Sequence, residues 1–367
     1  MMLEWVLAAI VILYCVFVLY LWLGWERIGI NSNDEFQPSV AVIVPVRNEE
    51  KNIAQLLSDL LQQTYKGKWE IIVVNDHSED NTVISVNNLS KGSINLKVLE
   101  LEQGEGKKAA LVLGIESTDS EIILTTDGDC RVGKRWIEAM VKAFQKDIHM
   151  VSGPVGFVHQ IGLFHHMQMI EFASLIGSGA ALIGWGKPIM ANGANLAFRK
   201  SSFEKVQGYS GATTASGDDV FLLHKIAHRY PNPIAFAKQE NAIVQTLALS
   251  NWKAFWLQRK RWASKWKAYS DLLTKGIAVL VFILSLGLGI LPVLVAFGIV
   301  DIFTWLNLLI AKSFFDYFFL RSVVRFSESN MSLTAFLLLQ LLHPYYVVLT
   351  ALFSFGKTYT WKERKVQ

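Results

Sequence analysis

The sequence contains little cysteine and little charge. Two cysteines, Cys15 and Cys130, occur in 367 residues, so no disulfide framework is implied and a reducing compartment is indicated. Charged residues make up 18% of the chain, below the roughly 25% of an average soluble domain. The net charge of +4 is modest for this length and does not favour a nucleic-acid partner. No internal repeat or low-complexity segment is visible.

Hydrophobic residues, in contrast, make up 52% of the chain and are concentrated at its two ends. Residues 5–23 carry no charge and are long enough to cross a hydrocarbon core of about 30 Å as a helix. We expect a retained anchor rather than a signal peptide, because no basic region precedes it and no cleavage site follows it. Three further apolar stretches, 276–299, 302–320 and 333–354, lie near the other end.

This distribution predicts an integral membrane protein with a soluble middle. The predicted segments are an N-terminal anchor at 1–27, a cytoplasmic domain at 38–250, an amphipathic interfacial segment at 251–275, a membrane bundle at 276–356 and a basic tail at 357–367. Lys and Arg beside the first two spans place the middle domain in the cytoplasm, at the plasma or inner membrane. Three full C-terminal crossings would then put the basic tail outside. Either the last stretch does not fully cross the membrane, which we favour, or the rule that basic flanking segments stay in the cytoplasm fails at this end of the chain.

The soluble middle alternates strand and helix patterns. Buried strands are predicted at 40–44 and 70–74, and "NLKVLEL" and "EIILTTDGDC" supply two more. Strands that alternate with helices at this spacing predict an α/β domain with a mostly parallel sheet, in which ligands bind at the carboxyl ends of strands. Residues 163–185 are apolar but contain His165, His166 and Glu171, which favours an interfacial or domain-covering helix over a span.

Two carboxylates one residue apart follow the strand in "EIILTTDGDC". Asp127 and Asp129 would repel each other and raise each other's pKa unless a cation lies between them. Mg²⁺ or Mn²⁺, held by one or two carboxylates and by phosphate oxygens, suits such a pair. The pattern predicts a divalent metal site that offsets the charge of a diphosphate.

Two other polar clusters carry weaker signals. Asp76 ends a strand in "VVNDHSEDNT", where a carboxylate accepts from a ribose hydroxyl or a base N–H, or simply forms an Asx turn or helix cap. Lys107 and Lys108 begin a helix behind two glycines, which suits a diphosphate. A solvated lysine pair is the alternative interpretation.

Near the end of the middle domain, Asp218 and Asp219 open a helix in "SGDDVFLLHKIAHR". One aspartate explains capping and compensation of the helix dipole, and the second is left as a candidate general base. Further on, "WLQRKRWASKW" contains Gln258, Arg261 and Trp262 just before a span. An interfacial belt of aromatic and basic residues explains this composition, but not the order of these three residues.

Taken in order, these motifs resemble family 2 of the inverting, membrane-bound glycosyltransferases, which includes cellulose, chitin and hyaluronan synthases and ceramide glucosyltransferase. The resemblance runs from about Val40 to Trp262. It implies a GT-A (Rossmann-like) fold with a mixed, mostly parallel sheet flanked by helices, beside the membrane helices. It also implies a nucleotide-sugar donor and Mg²⁺ or Mn²⁺ as cofactor.

By that resemblance, each motif acquires a role. Asp76 would contact the uracil or ribose, and Lys107 or Lys108 would lie near the uridine and diphosphate. "DGD" resembles the family's D-x-D, with Asp129 the first choice as metal ligand beside Asp127. In "SGDD", Asp219 would be the catalytic base and Asp218 an acceptor-site residue, at a position where the family more often has Glu. In "QRKRW", Gln258 and Arg261 would bind the diphosphate, and Trp262 would belong to the acceptor site.

The resemblance implies one displacement with inversion, in which Asp219 deprotonates an acceptor hydroxyl. The leading hypothesis is a non-processive transfer from a UDP-sugar to a membrane lipid or lipid-linked glycan. A processive polysaccharide synthase is the first alternative, favoured by the complete Q-x-x-R-W and disfavoured by the small membrane bundle. A membrane-tethered nucleotide-binding protein without turnover is the second. The sequence leaves the sugar, the acceptor and the oligomeric state open.

Overall fold

The computed structural model describes residues 2–29, 35–91, 94–211, 217–264, 271–327 and 329–354, and the backbone of 359–361 and 364–366. Lys265 and Lys267, two of the basic residues before the second span, and much of the predicted basic tail lie outside these residues. The chain divides into two compact units. We call the first the helical unit (Met1–Glu26, His159–Ala181 and Ala248–Tyr359) and the second the sheet unit (Arg27–Val158, Leu182–Leu247 and Thr360–Gln367).

Strands form mainly in the middle of the chain. They are β1 Val40–Val46, β2 Trp69–Asn75, β3 Leu96–Glu100, β4 Ile122–Thr125, β5 Arg131–Val132, β6 Met150–Ser152, β7 Val155–Phe157, β8 Leu196–Arg199, β9 Ile234–Phe236, β10 Val244–Thr246, β11 Tyr359–Trp361 and β12 Arg364–Val366.

Helices occur between the strands and at both ends of the chain. They are α1 Met2–Arg27, α2 Ile53–Leu61, α3 Thr82–Ser90, α4 Lys107–Glu116, α5 Trp136–Lys142, α6 Leu163–Gly184, α7 Lys200–Lys205, α8 Asp218–Arg229, α9 Trp252–Ser264, α10 Leu272–Ala296, α11 Ile302–Phe326 and α12 Leu333–Phe353, with a short 3₁₀ turn at Glu240–Ala242.

The main sheet of the sheet unit has seven strands in the order β3-β2-β1-β4-β8-β6-β9. β3, β2, β1 and β4 run parallel, β8 is antiparallel to both of its neighbours, and β6 pairs with β9 in parallel. This confirms the predicted mixed, mostly parallel sheet. A smaller sheet has the order β5-β10-β7. Both predicted early strands are present, and each is two residues longer than predicted.

The central strands are buried on both faces because helices cover the sheet. Every residue from Val40 to Val44 is fully buried in β1, and the apolar run of β2 is buried from Ile71 to Val74. α2 contributes Ile53, Leu56, Leu57 and Leu60 to this core, at the spacing of one helix face. These strands read as continuous apolar runs, as expected for parallel strands covered on both faces.

The helical unit contains the long apolar helices. Among the described residues, α1, α6, α10, α11 and α12 are long and apolar enough to cross a membrane. α1 packs against α10 through a cluster that includes Leu7, Val11, Leu284, Leu288 and Leu291. α6 differs from the others because most of its residues are buried within the protein. Its expected role as an interfacial or domain-covering helix stays a prediction. α12 continues through Pro344 and is long enough for a full crossing.

Polar residues inside the apolar helices are paired with one another. The Lys312 ammonium on α11 lies 2.6 Å from Asp316 Oδ2, one helical turn away, and donates to Gln340 Oε1 on α12 at 2.7 Å. The Tyr14 hydroxyl on α1 donates to Asp316 Oδ1 at 2.8 Å. All three helices therefore meet at one buried polar cluster, which explains how α11 accommodates the charged residues that interrupt its apolar sequence.

Candidate functional site

The polar clusters predicted from the sequence lie at the carboxyl edge of the parallel strands. β1, β2 and β4 run in the same direction and pair in register, so their carboxyl ends lie side by side. Asp76 follows β2, and Asp127 and Asp129 follow β4. The open edge of such a sheet is where ligands bind in α/β folds.

Asp76 organises the loop before α4. Its side chain is buried, and Oδ2 accepts a hydrogen bond from the Gly106 backbone N–H at 3.1 Å. Its Oδ1 lies 3.1 Å from His77 Nδ1, and its carbonyl oxygen accepts from Arg47 Nη1 at 3.0 Å. Gly106 has a φ of 91°, a conformation that favours glycine. Asp76 thus holds the turn that presents the two lysines at the start of α4.

Lys107 is the cation of an acidic cluster. Its ammonium lies 2.5 Å from Asp127 Oδ1. Burial of the lysine acts to lower its pKa, but the negative charges of Asp127, Asp218 and Asp219 outweigh burial and raise the pKa above its ordinary value. The structure therefore brings residues from "EGKKAAL", "TTDGDC" and "SGDD" together around one ammonium. Lys108 follows on the first turn of α4.

The turn that contains Asp127 and Asp129 is packed closely against the end of β1. The Cys130 backbone N–H donates to the Asp127 carbonyl at 3.1 Å. A Cβ on Gly128 would lie 3.0 Å from Glu49 Cγ, so this position leaves little room for a side chain. Burial, and then the charges of Asp127 and Asp129, raise the pKa of the Cys130 thiol well above its ordinary value. Cys130 is therefore a buried neutral thiol beside the acids.

Asp218 and Asp219 occupy the first turn of α8, as the sequence predicted. Asp219 Oδ2 accepts a hydrogen bond from the Gly193 backbone N–H at 3.0 Å, and Oδ1 accepts from the Val220 N–H at 2.8 Å. Asp218 is buried. Since each carboxylate oxygen has two lone pairs, these two hydrogen bonds fix the orientation of Asp219 and still leave it able to accept a further proton.

Gly193 is a site residue that the sequence interpretation missed. A Cβ at this position would lie 3.3 Å from Lys107 Nζ and 3.6 Å from Asp219 Oδ2, so the glycine borders the space between the lysine and the aspartate. Its carbonyl accepts from Thr125 Oγ1 at 2.9 Å, at the end of β4. The signal in the sequence was the short polar run "ANGAN", directly before the apolar residues of β8.

Asn195, in the same run, anchors this segment. Its side chain is fully buried, and Nδ2 donates to the carbonyl oxygens of Pro154 and Ala242, both at 2.7 Å. Its Oδ1 accepts from Trp136 Nε1 at 3.0 Å. Because every polar atom of the amide is used, Asn195 fixes the backbone from which the Gly193 N–H reaches Asp219.

The Q-x-x-R-W residues lie on α9, in the helical unit. Arg259, which the sequence interpretation did not single out, is buried, and it donates to Gln258 Oε1 through Nη1. Its guanidinium carbon lies 4.3 Å from the centroid of the Trp262 ring. Arg261 is located on the same helix, near its end. The remaining predicted site residues belong to the sheet unit.

The acids after β4 fit a divalent cation by their chemistry. Asp127 and Asp129 offer hard carboxylate oxygens, the ligands that Mg²⁺ and Mn²⁺ prefer. Lys107 already places a positive charge 2.5 Å from Asp127 Oδ1, so this carboxylate lies where a cation is stabilised. Among the described residues, no group of three or more His, Cys, Asp or Glu side chains is arranged as a complete metal site. Phosphate oxygens or water would therefore have to complete the coordination.

The fold and the acidic edge define a GT-A type domain. Over 96% of both chains, the structure is similar to the mannosyltransferase PcManGT from Pyrobaculum calidifontis, solved in complex with GDP-Man and Mn²⁺, with a TM-score of 0.58 and 18% identity. At this identity the likeness concerns the fold. Residues 41–207 match the family model described as glycosyl transferase family 2. This part of the chain is therefore similar to a family 2 glycosyltransferase domain.

Curated relatives agree with this family. Glycosyltransferase AglE of Haloferax volcanii is 31% identical over 191 residues, which are 49% of this chain and 59% of that protein. The poly-beta-1,6-N-acetyl-D-glucosamine synthase of Staphylococcus epidermidis is 27% identical over 239 residues, 64% of this chain and 56% of that protein. The chain thus spans a little more than half the length of these relatives.

Proposed function

We propose that this chain is a membrane-bound, inverting glycosyltransferase that moves a sugar from a nucleotide sugar, UDP-linked, to a membrane lipid or lipid-linked glycan. One observation carries the proposal. The Lys107 ammonium interacts electrostatically with Asp127, on the proposed donor side, and with Asp218 and Asp219, on the proposed acceptor side. Residues suited to a diphosphate and a candidate base therefore share one site. A simple nucleotide-binding module needs no such base.

On the donor side, the proposed contacts are to the nucleotide and its diphosphate. Asp76 and the turn that it holds face the nucleoside, and Lys107 and Lys108 offer positive charge to the phosphates at the start of α4. Asp129, with Asp127, would hold Mg²⁺ or Mn²⁺. When bound, that ion supplies charge neutralisation of the departing diphosphate.

On the acceptor side, Asp219 is the proposed general base. The acceptor hydroxyl gives its proton to a carboxylate oxygen of Asp219, which the Gly193 and Val220 N–H groups hold in place. The acceptor oxygen bonds to the anomeric carbon from the face opposite the diphosphate, and the bond from that carbon to the phosphate oxygen breaks. One displacement gives an inverted product and a nucleoside diphosphate.

The remaining assignments complete the proposal. Gln258 and Arg261 bind the diphosphate, while Asp218 and Trp262 contribute to the acceptor site. The domain boundaries proposed above, with residues 38–250 on the cytoplasmic side and the tail at 357–367, belong to the same proposal. The long apolar helices support a lipid acceptor, because they keep the enzyme at the membrane surface where such a substrate resides.

A processive synthase is the second candidate. It is favoured by the similarity to a poly-beta-1,6-N-acetyl-D-glucosamine synthase, whose name denotes a polymer product. The two candidates differ in what one enzyme releases. A single added sugar per acceptor identifies the non-processive transferase, whereas a ladder of long products from the purified protein identifies the synthase.

The test is release of nucleoside diphosphate by the detergent-purified protein. UDP-, GDP- and dTDP-sugars are supplied in parallel, with Mn²⁺ or Mg²⁺ and a native membrane lipid extract. We expect release from a UDP-sugar that requires both metal and lipid and is lost in Asp219→Asn. Release from GDP- or dTDP-sugars alone would correct the donor. Absence of release from every donor, with the lipid extract present, would contradict the proposed activity.

A further inference from the structure

A buried ion pair links α6, α9 and α12 within the helical unit. Arg259 Nε on α9 donates to Glu171 Oε1 on α6 at 2.9 Å, and Nη2 donates to Glu171 Oε2. The Tyr346 hydroxyl on α12 donates to Glu171 Oε1 at 3.1 Å. The side chains of Arg259 and Glu171 are 3% and 7% exposed. Such a pair is weak evidence for stability, because desolvation offsets most of its attraction.

The remaining surfaces of the Arg259 guanidinium are directed at residues of the Q-x-x-R-W sequence. Nη1, which the bidentate pair does not use, donates to Gln258 Oε1. The guanidinium carbon lies 4.3 Å from the Trp262 ring centroid and 4.5 Å from the Phe255 ring centroid. Arg259 thus contacts two of the three motif residues while Glu171 fixes its own orientation.

The chemistry of arginine determines which way the Gln258 amide faces. A guanidinium carries only donors, so the group that it contacts must be the amide oxygen and not the amide nitrogen. The Gln258 NH₂ group is therefore directed away from Arg259. A side chain that presents two N–H donors suits an acceptor-rich, negatively charged ligand such as a diphosphate.

We propose that Arg259, with Glu171 and Tyr346, is a positioning residue that presents the Gln258 amide N–H groups to the donor diphosphate and fixes the ring of Trp262. This inference rests on the proposed function, because it assigns the ligand of Gln258 from it. Lysine could not replace Arg259, since an ammonium lacks the planar fork that pairs with Glu171 and the flat, delocalised cation that lies over the Trp262 ring.

The role of Glu171 follows from the same geometry. It interrupts the apolar sequence of α6, and its carboxylate accepts from Arg259 twice and from Tyr346 once. Without the Glu171 carboxylate, the buried Arg259 guanidinium would lose the two hydrogen bonds that fix its orientation. It would then turn toward other hydrogen-bond acceptors. Glu171 therefore determines the direction from which Arg259 reaches Gln258.

The test uses variants that leave no isolated buried charge. In Glu171→Gln/Arg259→Gln, both charges are removed together, and Gln258→Ala is made alone and in that background. Lys253→Gln, at an exposed position on the same helix, is the control for lost positive charge. Binding of UDP with Mn²⁺ is measured by calorimetry, and kcat and KM for the donor are measured with the lipid extract.

We expect the paired variant and Gln258→Ala each to weaken UDP binding by at least tenfold. When Gln258→Ala is added to the paired variant, the dissociation constant for UDP should rise by less than a further twofold. Lys253→Gln should bind UDP within twofold of the unaltered protein. If the paired variant does not assemble, Tyr346→Phe, which removes one hydrogen bond, should raise the dissociation constant about threefold.

Two results would overturn the inference alone. One is a folded paired variant, or in its place a Tyr346→Phe variant, that binds UDP like the unaltered protein. The other is a full tenfold effect of Gln258→Ala in the paired background, since independent residues have additive effects on binding free energy. If the unaltered protein releases no nucleoside diphosphate and binds none, the proposed function fails and the inference fails with it.

Discussion

Replacement of Lys107 by Met should destabilise the sheet unit in a way that a divalent metal reverses. The Lys107 ammonium lies 2.5 Å from Asp127 Oδ1, and the two side chains are 23% and 37% exposed. Opposite charges about 4 Å apart attract by about 4 kcal/mol at an effective dielectric constant near 20. Since Asp127 is more than one third exposed, solvent screening reduces this to about 1 kcal/mol.

The sign with respect to pH follows from the pKa of Lys107. Because the folded protein raises that pKa above its ordinary value, the stabilisation is fully present at neutral pH and is lost only as the pH rises through the raised pKa. At pH 7, Lys107→Met therefore lacks the positive charge that lies among Asp127, Asp218 and Asp219. The like charges then repel without their common cation.

The assay is thermal unfolding of the purified protein at pH 7, with and without Mn²⁺. For a domain of this size, a loss of about 1 kcal/mol lowers the midpoint of unfolding by about 2–4 °C. Mn²⁺ should narrow the difference in midpoint between Lys107→Met and the unaltered protein, because the ion would supply the positive charge beside Asp127 that the variant lacks. Metal that binds the folded state stabilises it by mass action. Lys108→Met removes the same charge one residue further along α4 and serves as the control. An unchanged midpoint for Lys107→Met, or an equal loss for Lys108→Met, would refute the reasoning.

Three further predictions concern stability. Asn195→Ala leaves the Pro154 and Ala242 carbonyls without their shared donor, and should lower the free energy of unfolding by about 3–5 kcal/mol in thermal melts; a loss below about 1 kcal/mol would contradict the anchoring role. Lys312→Met should destabilise the helical unit by about 3–5 kcal/mol in detergent, and the added change Asp316→Leu should recover part of that loss. Burial, and then the charges of nearby Arg199 and Lys205, lower the pKa of His149, so the stability that it contributes is present above its ordinary pKa of about 6.5 and falls below it. His149→Gln should therefore lose less stability than the unaltered protein between pH 7 and pH 5.5, and an equal loss would contradict this.

The parts of the fold that the sequence predicted are those with a local signal. The apolar runs of β1 and β2 are continuous and bounded by polar turns, so each strand could be recognised from a short window. The acids of "TTDGDC" could be placed at a sheet edge because they directly follow β4. Their proximity to Lys107, by contrast, depends on the way α4 returns to that edge.

The parts that escaped prediction depend on contacts between distant residues. Arg259 and Glu171 are 88 positions apart, and neither sequence neighbourhood indicates that the other completes it. Gly193 and Asp219 meet across 26 positions through a backbone N–H, which leaves no side-chain signature. The antiparallel insertion of β8 between β4 and β6 was equally hidden, because short strands of three or four residues carry too little pattern to fix their order.

The central claim is that Asp219 removes the proton from the acceptor, and the most direct measurement compares turnover and nucleotide binding in Asp219→Asn. Asparagine keeps the size of the side chain and one acceptor oxygen for the Gly193 N–H, but it has no carboxylate to take a proton. We predict that turnover falls by about 10²–10⁴-fold while the dissociation constant for UDP with Mn²⁺ changes less than threefold. Turnover that persists at the unaltered rate with nucleotide binding intact would show that the base lies elsewhere.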